Sequence, residues 1–260
     1  MDIVLFTSFY PYGKGETFLE SEIKHLSENF DNVYIISSSK IKKQTRKIPD
    51  NVILVRAGRD KHFFSSLIYG FVSLFFPSTF KEIFKGGKTS KLNIIQRTKY
   101  IARTNMIIFR LKRVMKRLNL KNENTIGYSY WLSDSAYFMS KNKKYFNKII
   151  SRAHAYEVRS YIPFREEINN KMDEIYFISE YTNNAYNRLL DQYEIGNKSN
   201  QHISKLGISY NDKINVPNEN IFRIISCSNI IPLKRLDLII DSLRKVQSKD
   251  YPIEWHHFGW

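Results

Sequence analysis

The chain of 260 residues carries 41 Lys and Arg against 25 Asp and Glu, a formal charge of +16, with 42% hydrophobic and 15% aromatic residues. That apolar content excludes global disorder. The basic excess asks for an anionic partner (nucleic acid, an acidic membrane surface or phosphorylated small molecules), unless it serves solubility alone.

Cys227 is the only cysteine, which rules out an internal disulfide and fits a reducing compartment; its place in an apolar run predicts a buried core thiol. The N-terminus (Met1 to Ser8) puts an acid at position 2 and has too short an apolar run for a signal peptide.

In chain order the apolar period switches between that of strands and that of helices, the pattern of an alternating α/β protein. Asp2 to Thr7 is a continuous apolar run and predicts a buried parallel strand. Glu16 to Phe30 places Phe18, Leu19, Ile23 and Leu26 at helical spacing. Val33 to Ser37 and Val52 to Val55 read as further strands, with a basic loop, Lys40 to Lys47, between them. Phe63 to about Leu118 reads as helical, interrupted from Lys85 to Ser90 by a Gly-Gly pair. Within it the 14-residue run Phe63 to Phe76 is too short to span a bilayer, which takes roughly 20 residues. It reads as a core helix, with interfacial membrane contact as the alternative. The last part mixes Met106, Ile107, Phe109, Leu111 and Val114 with Arg110, Lys112, Arg113, Lys116 and Arg117. Such a helix lies on anionic lipid or covers a protein surface with its long basic stems.

Alternation then resumes with strands at Thr125 to Tyr128, Lys148 to Ser151, Ile175 to Ile178 and Gln201 to Leu206. Helices are expected at Ser133 to Ser140 and Tyr181 to Leu190. Ile208 to Asn220 is polar, contains Pro217 and lacks periodicity, which marks a domain boundary. A strand from Phe222, a helix from about Arg235 to Val246 and a strand from Ile253 to Phe258 follow. The expected organisation is a Rossmann-like domain over 1–207, a linker over 208–221, and a βαβ start of a second domain over 222–260.

Four stretches have the makings of a site. Phe9 to Thr17 sets Gly13 and Gly15 between a strand and a helix opened by Glu16, so backbone N–H groups can approach an anion closely. A plain tight turn, with Glu16 starting the helix, is the alternative. Ser151 to Glu157 puts His154, with Arg152 and Glu157, at the carboxyl end of a strand, where α/β sheets display working residues. His154 could bind a sugar hydroxyl or act near a developing charge; a structural histidine is the alternative. Tyr128 to Asp134 presents Tyr130 and Trp131 at another strand end, suited to stacking on a sugar ring or to core packing. Finally, Lys234 and Arg235 open a helix after a strand and suit a diphosphate. Cations there oppose the helix dipole unless an anion is present. His256 and His257 lack the spaced partners of a metal site, and no metal is expected.

Six stretches together resemble the family-4 retaining GT-B glycosyltransferases of bacterial capsular and exopolysaccharide assembly. They are F-Y-P-Y-G-K-G-E-T-F-L-E-S-E-I (Phe9 to Ile23), Y-S-Y-W-L-S-D (Tyr128 to Asp134), S-R-A-H-A-Y-E (Ser151 to Glu157), F-I-S-E-Y (Phe177 to Tyr181), K-L-G-I (Lys205 to Ile208) and S-N-I-I-P-L-K-R-L-D-L-I-I (Ser228 to Ile240). The resemblance implies two Rossmann-like domains with a cleft between them, the first taking the acceptor and the second a nucleotide-sugar donor. It implies transfer of a sugar to a glycan or lipid-linked acceptor, in the cytoplasm at the inner face of the plasma membrane, without metal or resident cofactor; nucleic acid is not an expected partner, because the basic residues are dispersed and the aromatics lie mostly in apolar runs. On the acceptor side it points to Gly13, Gly15, Glu16, Tyr130, Trp131 and Glu157, with His154 as the catalytic histidine. Tyr130 stands where relatives often have another cleft histidine. On the donor side it points to Asn229, Lys234, Arg235 and Gly259; Lys234 matches the family's phosphate lysine, whereas Asn229 replaces its arginine. Family members are longer, and their signature glutamate pair would lie beyond Trp260, so little transferase activity is expected of these 260 residues alone. The rival reading is a non-catalytic basic module docking on anionic membrane or polysaccharide.

Overall fold

The computed structural model describes residues 1–41, 43–57, 63–85, 93–208, 216, 221–246 and 252–259. The chain divides into two compact units, Met1–Ser209 and Tyr210–Trp260. Most of the expected linker, and the Gly-Gly interruption before residue 91, lie outside the described residues.

The first unit holds β1 (Asp2–Thr7), β2 (Val33–Ser37), β3 (Val52–Arg56), β4 (Thr125–Ser129), β5 (Lys148–Ala153), β6 (Glu174–Phe177) and β7 (Asn200–Ile203). They form one sheet in the order β3-β2-β1-β4-β5-β6-β7, parallel throughout. This is the doubly wound order, whose direction of winding reverses between β1 and β4.

The helices of this unit are α1 (Leu19–Asn29), α2 (Phe63–Val72), α3 (Pro77–Phe84), α4 (Ile94–Leu118), α5 (Asp134–Lys141), α6 (Ala155–Val158), α7 (Arg165–Lys171) and α8 (Glu180–Gln192). Strand alternation explains why β1 is apolar at every turn. Ile3 and Leu5 join a core with Leu19 and Ile23 of α1, while Val4 and Phe6 join one with Ile101 and Ile108 of α4 and Phe138 of α5. The long α4 starts on a capping box: Asn93 Oδ1 accepts from the Gln96 amide at 2.8 Å, and Gln96 Oε1 from the Asn93 amide at 3.0 Å.

The second unit is a βαβ motif: β8 (Phe222–Cys227), α9 (Leu236–Val246) and β9 (Ile253–Phe258), the strands paired in parallel.

Two expectations are corrected. The run from Phe63 is not a core helix. It breaks at Phe76, and Phe64, Ile68, Phe71 and Phe75 are all exposed. Only the opposite side of the segment is buried, because one helix face is enough to pack on α4. Nor is Cys227 a core thiol: it is exposed with Arg223 and Ile225 on one side of β8, while Ile224 and Ser226 face the partly covered side. Sequence reading also missed α6 and α7, both too short to show a helical period.

Candidate functional site

The carboxyl ends of β1, β4 and β5 bring together three of the four predicted stretches. The loop after β1 turns at Gly13, whose φ of +72° is the left-handed conformation that favours glycine; a Cβ there would meet Ile41 Cδ1 at 2.7 Å. Gly15 packs against the Phe9 ring, with room for a Cβ only at 3.0 Å. The carbonyls of both glycines are taken: Thr45 Oγ1 donates to Gly13 at 2.8 Å and Arg46 Nη1 to Gly15 at 2.6 Å.

Glu16 is the brace of this loop. Its Oε1 accepts from the Ser8 amide at 2.8 Å and from the Trp131 indole N–H at 2.5 Å. Its Oε2 accepts from the Phe9 and Tyr10 amides at 2.8 and 2.6 Å. Those donors fill the roughly four lone-pair positions of a carboxylate, so Glu16 acts on a ligand through the loop it shapes.

Trp131 passes the connection on to β5. His154 lies against its ring at 4.4 Å between centroids and against Tyr130 at 4.9 Å. Neither ring nitrogen of His154 has a hydrogen-bond partner among the described residues, although both are buried. Burial, reinforced by the nearby Arg152 guanidinium, pushes the His154 pKa down to about 4. The imidazole is therefore neutral at physiological pH, one nitrogen a donor and the other an acceptor, which suits it to a hydroxyl-bearing ligand.

Glu157 is 1% exposed and turned to backbone. Its Oε2 accepts from the His154 amide and its Oε1 from the Leu132 amide, both at 3.1 Å, so it locks the β5 turn to the β4 loop. Burial pushes its pKa up to about 7, against the pull of those amides and of Arg165. Arg152 bonds elsewhere, to Tyr128 Oη, to Glu22 Oε1 and to the Ser204 carbonyl, each at 3.0 Å.

Beside this cluster, at the reversal point between β1 and β4, opens a cleft of about 370 Å³. Thr7, Phe9 and Trp131 form part of its wall, and Lys40, Arg103 and Asp134 contribute charge. Asp134 accepts from Thr104 Oγ1 at 2.6 Å, and burial pushes its pKa up. Lys40 lay within a recognised basic loop, but Arg103 gave no local signal; it belongs to the cleft only because α4 packs beside the sheet. Open α/β sheets take ligands at such a crevice.

In the second unit Asn229, Lys234 and Arg235 are exposed, in or after the loop that follows β8. Arg235 has φ +50° and pairs with Asp237 at 3.3 Å. Gly259 follows β9, and a Cβ there would fall 1.7 Å from the Ser228 carbonyl oxygen, so only glycine lets these segments approach. His257 is a structural link, its ring nitrogens reaching Ser226 Oγ at 2.8 Å and the Ser228 carbonyl at 3.0 Å.

No protein-family model matches the chain, and no curated protein matches it in sequence. Solved structures do. The apo form of the lipopolysaccharide outer core galactosyltransferase WaaB matches with a TM-score of 0.54 at 15% identity, over 99% of this chain and 60% of that one. TarM matches with a TM-score of 0.57 at 11% identity, over 99% of this chain and 71% of that one. The chain thus spans 60% of the length of the galactosyltransferase. At these identities the likeness is one of fold: an α/β protein of GT-B type, with a complete parallel Rossmann-like sheet and a second βαβ unit.

Proposed function

We propose that the chain works in a retaining glycosyltransferase of the family-4 type, in bacterial surface-polysaccharide assembly. The sugar passes from a nucleotide-sugar to a glycan or lipid-linked acceptor, in the cytoplasm at the membrane's inner face. The observation that carries this reading is His154: a buried, neutral imidazole whose two nitrogens have no hydrogen-bond partner among the described residues, set on an aromatic platform at the carboxyl edge of the sheet. A buried polar group without a partner costs stability, so its natural complement is a ligand hydroxyl.

In this reading His154 hydrogen-bonds a sugar hydroxyl, while the cleft at Lys40, Arg103 and Asp134 receives the acceptor. Lys234 and Arg235 of the second unit neutralise the diphosphate as the anomeric C–O bond breaks. Asn229 and Gly259 shape the loop beside them, and the reaction is assigned no metal or resident cofactor. Support comes from the shared fold and from the six sequence stretches.

Calorimetry with UDP- and GDP-sugars tests it. Binding that weakens about tenfold in Lys234→Ala, a loss of about 1.4 kcal/mol, is expected. The exposed apolar residues of α2 favour the second reading, a non-catalytic docking module. That reading gains if no nucleotide-sugar gives heat while anionic vesicles still bind.

A further inference from the structure

We propose that α2 and α3 form a membrane-docking hairpin whose aromatic face enters the interface of a bilayer containing anionic lipid. The inference adds to the sugar-transfer reading the element that makes membrane contact, and it holds for a docking module as well.

One side of the hairpin is fixed to the protein. A Cβ on Gly70 would meet Met106 Cγ at 2.5 Å and the Ala102 carbonyl oxygen at 2.9 Å, so α2 lies directly on α4. Tyr69 stacks on Phe109 at 5.0 Å, and Asn105 Nδ2 donates to the buried Ser73 Oγ at 2.8 Å. From α3, buried Glu82 accepts from Tyr161 Oη and from the Phe164 amide, each at 3.0 Å.

The other side is exposed. Phe64, Ile68, Phe71 and Phe75 fall at helical spacing on one stripe and are 75%, 63%, 65% and 72% exposed. On α3, Phe80 and Phe84 are also exposed, with rings 5.1 Å apart. Large apolar side chains exposed together in this way mark an interaction site.

Charge names the occupant. From Phe63 to Leu118 the sequence has twelve Lys and Arg and a single acid, Glu82, which is buried. Aromatic residues flanked by cations suit an interface of apolar chains beneath anionic headgroups. A second copy of this chain would bring the same cations face to face, and like charges repel.

Geometry sets the depth. No single described helix is long and apolar enough to cross a membrane, and the two arms, Leu67–Phe75 and Pro77–Phe84, meet at 79°. At 1.5 Å per residue these two arms reach only about 14 and 12 Å, each well short of a hydrocarbon core of about 30 Å. The two arms pass the length and composition of a span only when taken together, and the 79° bend between them sets the hairpin in the interface.

Co-sedimentation with vesicles of phosphatidylcholine, with and without phosphatidylglycerol, tests this on the intact chain. Binding to the phosphatidylglycerol vesicles is expected, falling at least about tenfold in the Phe71→Ser, Phe75→Ser double variant, whose charge is unchanged. Because both side chains point outward, the variant should keep the far-ultraviolet spectrum of the parent. In a separate Phe75→Trp variant, the added indole emission should shift to the blue and be quenched by brominated acyl chains. Equal binding by the double variant, or no quenching by brominated lipid, overturns the proposal. So does a dimer that the double variant abolishes in the absence of any vesicle binding. Nucleotide-sugar calorimetry is independent of every arm, so this inference and the transferase reading fail separately.

Discussion

The indole N–H of Trp131 donates to Glu16 Oε1 across 2.5 Å, joining the glycine loop after β1 to the aromatic platform beneath His154. The same carboxylate holds the amides of Ser8, Phe9 and Tyr10, so one side chain sets the shape of two strand ends. Glu16→Gln replaces an acceptor oxygen with an NH2 group that faces N–H donors. It should cost about 1–3 kcal/mol in urea unfolding. Trp131→Phe removes one donor and should cost about 1 kcal/mol. A Glu16→Gln protein as stable as the parent would refute the bracing role.

His154 predicts an acid limb in stability. Its folded pKa, about 4, lies below the ordinary 6.5, so the folded state binds its proton more weakly than the unfolded chain does. The contribution is complete above pH 6.5 and is lost as pH falls toward 4, at a cost on the order of 3 kcal/mol. His154→Phe should flatten that limb in chemical denaturation profiles while keeping the ring contacts.

Glu157 works in the opposite direction. Its folded pKa is raised from 4.5 to about 7, so its contribution is full below pH 4.5 and is lost as pH rises through 7. Glu157→Gln cannot ionise and should remove the fall in stability between those values. Its amide keeps one acceptor oxygen for two amide donors, so a loss of about 1 kcal/mol at low pH should accompany the change. In the parent the two slopes oppose each other between pH 4.5 and 6.5, and only the variants separate them.

Gly259 predicts a local effect on donor binding. A methyl group would sit 1.7 Å from the Ser228 carbonyl oxygen, so Gly259→Ala must push apart β9 and the loop that leads to Asn229 and Lys234. Nucleotide-sugar affinity should drop at least about tenfold, while α1 to α8 and the seven-stranded sheet keep their amide exchange protection. Unchanged affinity would remove Gly259 from the proposed donor loop.

Much of the fold was legible in the sequence because buried parallel strands are apolar on both faces. The Asp2–Thr7 and Val33–Ser37 strands stand where the apolar runs place them. Strand ends are legible too: the glycine loop, Trp131 and His154 each follow an apolar strand in the sequence. What each side chain bonds was not. Glu16 and Glu157 share a residue type with ligand-binding carboxylates, and only the tertiary structure turns their oxygens to backbone amides. The outward stripe of α2 was hidden for a related reason: a helix apolar on all sides has the same sequence whether one face or both are covered.

The Glu22, Tyr128 and Arg152 trio has a consequence for how this protein can vary. Tyr128 Oη donates to Glu22 Oε1 at 2.6 Å, and the Arg152 side chain, 9% exposed, bonds both. Losing the arginine alone would strand a shielded carboxylate, and losing the glutamate would strand a shielded cation. Substitutions here should be inherited as a set, so homologues ought to present either all three side chains or an apolar replacement of the whole trio.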